Sequence, residues 1–145
     1  MSARSAVLLA CVALACREPF SVLPGGKLEG ELRPAGAGFS PADGFGTAQL
    51  ETRPEDPYSV NITYTVVNGR SYVNAGDTET TWAKNLNADR RVRLRVDGAL
   101  YELRAERVTD REEIAVFGKA WLSQSSTRKD PARFDEVWLY RLGER

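Results

Sequence analysis

Histidine does not occur in this chain of 145 residues, and cysteine occurs only as Cys11 and Cys16. The first absence removes the commonest general base, the Ser-His-Asp and Cys-His nucleophile systems, and the commonest metal ligand. The second leaves everything after residue 16 without a thiol, a disulfide or a thiolate zinc site, so redox work there needs a borrowed cofactor. Neither sign of charge is in excess, with 20 Lys and Arg against 20 Asp and Glu. Bulk charge therefore draws the chain neither to nucleic acid nor to an anionic membrane surface. The apolar run at residues 6–15 is too short to cross a bilayer as a helix. The composition that remains, 42% hydrophobic, is enough for one domain with a real core, and no metal is expected in it.

Arg4 followed by the apolar run has the proportions of a secretory signal peptide covering residues 1–15. Ala13-Leu14-Ala15-Cys16 resembles the lipobox of bacterial lipoproteins, in which the cysteine is acylated and becomes the mature N-terminus. Leu8-Leu9-Ala10-Cys11 fits that motif more closely but leaves only a few residues of apolar leader, and the alternatives are ordinary signal-peptidase cleavage or a mis-set start codon on a cytoplasmic protein. The reading that follows is lipidation at Cys16, a tether over 16–26, and a domain over 27–145 held outside the cytoplasm at the cell envelope, on the periplasmic side. Loss of residues 1–15 takes Arg4 and no acid, leaving 19 basic against 20 acidic residues and a net charge of −1.

The domain is organised around residues 58–96. Residues 58–67 alternate strictly, with Val60, Ile62, Tyr64 and Val66 on one face and Ser59, Asn61, Thr63 and Thr65 on the other. Asn68-Gly69 supplies the two positive φ angles of a type I′ turn, which sets Val66 against Ser71, Thr65 against Tyr72, Tyr64 against Val73 and Thr63 against Asn74. The apolar face belongs to the core. The opposite face, with Asn61, Thr63, Thr65, Tyr72 and Asn74, is either solvated or the wall of a polar ligand pocket.

A short edge strand is expected over 27–33 and another strand over 47–53, with Ala48 and Leu50 inward, and 34–46 reads as a loop. A helix is expected over 79–87, capped by Asp77 or Thr78. Thr80, Thr81 and Lys84 at its start are either cap and solvated face or a seat for an anion such as phosphate. Residues 91–96 then alternate, and Asp97-Gly98 makes a second tight turn, pairing Val96 with Ala99, Leu94 with Tyr101 and Val92 with Leu103. On the other face Arg93 meets Glu102, with Arg91, Arg95, Arg104 and Glu106 nearby, as a charge lattice or an anion site. Asp110 and Glu113 form a capping box for a helix running to about Gln124, whose stripe is Ile114, Phe117, Ala120 and Trp121. A final strand is expected over 134–142.

This order of elements predicts a mainly β fold with α, a small antiparallel split β-barrel with flanking helices. Trp82-Ala-Lys-Asn-Leu-Asn-Ala88, the Arg91-Val-Arg-Leu-Arg-Val96 strand, Asp97-Gly98, Tyr101-Glu-Leu-Arg104 and Val108-Thr-Asp110 resemble the FMN-binding split barrel superfamily of pyridoxamine 5′-phosphate oxidase. The deazaflavin-dependent nitroreductase type is the nearest branch, and the likeness spans about residues 50–142. The resemblance implies an oxidoreductase that binds FMN or a deazaflavin coenzyme at the interface of a homodimer. It nominates Thr80, Thr81 and Lys84 for the phosphate, and Asn61, Thr63 and Asn74 for the ring system, with no catalytic side chain. The alternative is a non-catalytic lipoprotein that binds a small molecule or a protein and has lost the cofactor, since residues 59–67 hold no basic side chain.

Overall fold

A computed structural model describes residues 18–35 and 42–145. The leader, Cys16 and the middle of the 34–46 loop lie outside the described residues. Among the described residues seven strands make one sheet: β1 (Glu31–Arg33), β2 (Gly44–Thr52), β3 (Tyr58–Val67), β4 (Arg70–Asn74), β5 (Arg91–Val96), β6 (Ala99–Arg107) and β7 (Leu139–Glu144). Helix α1 (Thr81–Ala88) follows β4, and α2 (Arg111–Ser123) follows β6. Six strands close into an antiparallel barrel in the order β2-β3-β4-β7-β6-β5 and back to β2. The closing seam joins Leu103–Arg107 of β6 to β7, and β1 lies parallel to the first three residues of β6 on the edge that β7 leaves free.

Both hairpins have the expected register. Tyr64 faces Val73, Thr65 faces Tyr72 and Val66 faces Ser71 across Asn68 and Gly69, whose φ angles are 51° and 71°. Asp43 pins this turn, its two carboxylate oxygens accepting from the Asn68 and Gly69 backbone N–H groups at 3.1 Å each. Val96 faces Ala99, Leu94 faces Tyr101 and Val92 faces Leu103 across Asp97 and Gly98, at 49° and 80°.

Alternate residues of every barrel strand point inward, so Leu50, Tyr64, Val66, Val73, Val92, Leu94, Leu103 and Tyr140 meet in one core, joined by Trp82, Ala83 and Leu86 of α1. The Trp82 and Tyr140 rings sit 5.8 Å apart. A second, smaller core lies outside the barrel, where Ile114 and Phe117 of α2 pack on Tyr72, Val108, Val137 and Leu139.

Several boundaries differ from the sequence reading, each for a local reason. Strand β2 begins at Gly44 because Gly46 lies beneath Tyr64. A Cβ at Gly46 would come 2.7 Å from the Tyr64 hydroxyl, so the glycines that read as loop are strand residues that make room for a ring. Strand β1 is only three residues long because the backbone of Leu28 is satisfied by side chains. Its N–H donates to Glu51 Oε2 at 2.6 Å and its carbonyl accepts from Arg93 at 2.7 Å. Helix α1 starts at Thr81, with Thr80 at the cap position and no side-chain capping bond, so neither Asp77 nor Thr78 caps it. Asp110 does cap α2, accepting from Glu113 N at 2.9 Å. The Glu113 carboxylate, however, turns away to accept from the Tyr72 hydroxyl at 2.8 Å and from Arg141 at 2.7 Å. Strand β7 begins at Leu139 because Phe134 and Val137 are held under α2, where Arg111 donates to the Ala132 and Phe134 carbonyls.

Candidate functional site

The polar face of the first hairpin divides in two. Its far half is a seat for α2: Thr65 and Tyr72 are buried there, with Gln124 Nε2 donating to Thr65 Oγ1 at 2.7 Å and Tyr72 bonded to Glu113. Burial and the Glu113 carboxylate raise the Tyr72 hydroxyl above its ordinary pKa. Burial alone would raise the Glu113 carboxyl, but the bonds from Tyr72 and Arg141 outweigh it and hold the group below its ordinary value.

The near half is open. Register places Asn61 opposite Gln49 and Gln49 opposite Arg95, so an amide, an amide and a guanidinium form one row across the outer face of β3, β2 and β5. Thr63 opposite Thr47 forms the next row. Beyond Gln49 strand β2 continues without β5, and the two part at the Asp97-Gly98 turn. The gap is a cleft of about 550 Å³ lined by Thr47, Gln49, Asn61, Thr63, Arg95 and Asp97. Arg95 is fixed within it. Its Nε donates to Gln49 Oε1 at 2.6 Å, and one terminal nitrogen donates to the Glu29 carbonyl at 2.7 Å. The guanidinium also forms a two-point pair with the Glu18 carboxylate.

The chain ahead of β1 runs over this face as a strap. Asn61 Nδ2 donates to the Pro19 and Ser21 carbonyls at 3.3 and 3.1 Å, and Gly25 exchanges two backbone bonds with Ser59 at 2.8 and 2.9 Å. The β5 arginines are thus all paired, though not as the alternation of charges predicts. Arg93 meets Glu51, at 2.9 and 2.8 Å, rather than Glu102. Both acids flank Arg93 in register, but Glu51 is buried beneath Leu28 whereas Glu102 is exposed and lies 3.8 Å from Arg145. Arg91 takes Asp89 at 2.7 Å and Glu55 at 3.0 Å. The hydrogen bonds from Arg91 bring the Asp89 carboxyl down to about 2, and Arg91 is raised in turn.

The six side chains nominated from the sequence occupy three places. Asn61 and Thr63 line the cleft. Asn74 turns its Oδ1 to Gly76 N at 2.9 Å and borders a separate hollow of about 310 Å³ beside Trp121 and Arg128. Thr80, Thr81 and Lys84 sit on the first turn of α1 and line neither space. Within one chain these six do not share a single seat. One feature at α1 does suit an anion: the Thr80 hydroxyl is buried without a hydrogen-bond partner beside free helix N–H groups. Sequence reading missed Gln49, because outward residues of β2 carry meaning only once its pairing with both β3 and β5 is known. Among the described residues no helix is long and apolar enough to cross a membrane, and no cluster of three or more Asp, Glu, Cys or His is arranged to hold a metal. In comparisons with known proteins, no family model matches the chain and no curated protein shows significant similarity to it.

Proposed function

We propose that the chain is an exported lipoprotein whose barrel binds a small polar molecule in the cleft between β2 and β5, without catalysing a reaction on it. The observation that carries this reading is a row of neutral hydrogen-bonding side chains, Thr47, Gln49, Asn61 and Thr63, along a cleft whose one guanidinium, Arg95, is already held by Gln49, Glu29 and Glu18. Hydroxyls and amides beside an already paired guanidinium suit a compact neutral molecule rich in hydroxyl or amide groups. The chain offers no histidine base and no thiol beyond residue 16 to drive chemistry there. Thermal unfolding in the presence of a panel of small sugars, polyols and amides tests the reading. At least one member is expected to raise Tm in a concentration-dependent way, by mass action. The effect is lost in a Thr47→Val, Thr63→Val double variant, which removes two cleft hydroxyls and leaves the Gln49–Arg95 bond and the strap in place. A panel without a shift, or a shift unchanged in the variant, refutes it.

A second reading, a flavin- or deazaflavin-dependent reductase acting as a homodimer, is favoured by the partnerless Thr80 hydroxyl at the start of α1. The cofactor would bring the hydride chemistry and the chain its orientation. Visible absorbance of the protein purified from its own host separates the two readings, and light scattering tests the dimer.

A further inference from the structure

We infer that residues 20–23 form an apolar tip that enters the surface of the lipid bilayer and sets the attitude of the barrel on it. The inference rests on the proposed acylation of Cys16. Phe20, Val22 and Leu23 are 75%, 91% and 62% exposed, three large apolar side chains within four consecutive residues. Single exposed apolar residues are ordinary on a protein surface, whereas a contiguous group marks a contact. This group is also rigidly mounted. Phe20 and Leu23 exchange backbone hydrogen bonds at 3.0 and 2.8 Å, and Ser21 has a φ of 53°, so the segment is a tight turn with its side chains fanned outward. The base of the turn is held to the barrel by Asn61 on one side and by the Gly25 bridge to Ser59 on the other. Such a mounting keeps the apolar groups from folding back onto the domain.

The occupant follows from chain length. Phe20 is four residues from Cys16, and four residues span at most about 14 Å. A headgroup layer is roughly 5–8 Å deep, from the difference between total and hydrocarbon thickness. A tip tied so closely to an acyl chain lies at the boundary where interfacial apolar side chains insert, about 5–10 Å deep. The acyl group fixes how far the domain stands from the bilayer; the tip, through its bonds to Asn61 and the strap's pair with Arg95, turns the cleft side of the barrel toward the lipid.

The test uses the full chain carrying Val22→Cys, processed in a bacterial host. Cys11 departs with the leader and the thiol of Cys16 is acylated, so position 22 holds the free thiol for an environment-sensitive fluorophore. In vesicles of phosphatidylethanolamine and phosphatidylglycerol the emission is expected to shift to the blue and to be quenched by nitroxide lipids labelled near the headgroup. A probe placed by Glu112→Cys on the exposed face of α2 should be neither shifted nor quenched. Adding Phe20→Ser and Leu23→Ser should abolish the quenching at position 22 while palmitate incorporation continues. Palmitate on Cys16 with a probe that stays in water overturns the inference and spares the acylation. A blue shift without vesicles means that a second copy covers the tip, which also overturns it. Absence of palmitate refutes the acylation reading and this inference with it.

Discussion

Tyr140 is a buried phenol inside the barrel, and its hydroxyl donates to Asn87 Oδ1 at 2.8 Å with the Ala83 carbonyl 3.2 Å away. Burial pushes its pKa up to about 12. The folded state therefore holds this proton more tightly than the unfolded chain, where tyrosine titrates near 10. The contribution to stability is whole below pH 10 and is lost as pH rises from 10 to 12. Two pKa units correspond to about 2–3 kcal/mol. Urea unfolding at pH 8 and pH 11.5 is expected to show most of this loss, and Tyr140→Phe is expected to show a smaller one. Some slope remains in the variant because Tyr72 is shifted the same way by its own burial. An equal loss in both proteins contradicts the assignment. No sequence pattern separates Tyr140 from its neighbour Leu139: one lies inside the barrel and the other beneath α2, and only the closed sheet decides which.

Local elements were the most legible. A two-residue turn with positive φ at both positions admits one register, so Asn68-Gly69 and Asp97-Gly98 each determined a hairpin without help from the rest of the chain. Asp110 announced α2 in the same local way. What neighbouring residues could not disclose was the use of Glu113, drawn to Tyr72, 41 residues away, instead of back to its own helix start. Helix α2 is stable through what it covers, chiefly Phe117, whose ring lies 5.5 Å from Tyr72 and 5.7 Å from Trp121. Phe117→Ala is expected to cost about 3–5 kcal/mol in urea unfolding, whereas Leu122→Ala on the exposed side of the same helix should stay within about 0.5 kcal/mol. A small loss at Phe117 would mean that α2 is not docked on β4 and β7.

At the scale of the molecule, closure of β6 on β7 and the path of the strap depend on contacts far apart in the chain. That is why the candidate cleft was only half visible in advance: Asn61 and Thr63 were legible from alternation, but Gln49 and Arg95 join them only through β2–β5 pairing. Glu51 is the hub of the strap. It is 5% exposed, and its carboxylate serves Arg93 and the Leu28 N–H together. Glu51→Ala leaves a largely buried guanidinium without its carboxylate and a backbone N–H unpaired, at an expected cost of about 3–5 kcal/mol. Limited proteolysis should then cut within residues 20–30 well before the wild type is cut there. Equal cleavage rates would show that the strap is held by other means.

The fastenings of that strap follow one another along the chain: Glu18 on Arg95, Pro19 and Ser21 on Asn61, Gly25 on Ser59, Leu28 on Glu51, and β1 on β6. Traction from the N-terminal side loads them in turn, like stitches drawn from a seam, and reaches the closed barrel last. Pulled from that side, the domain thus gives up slack before it gives up shape.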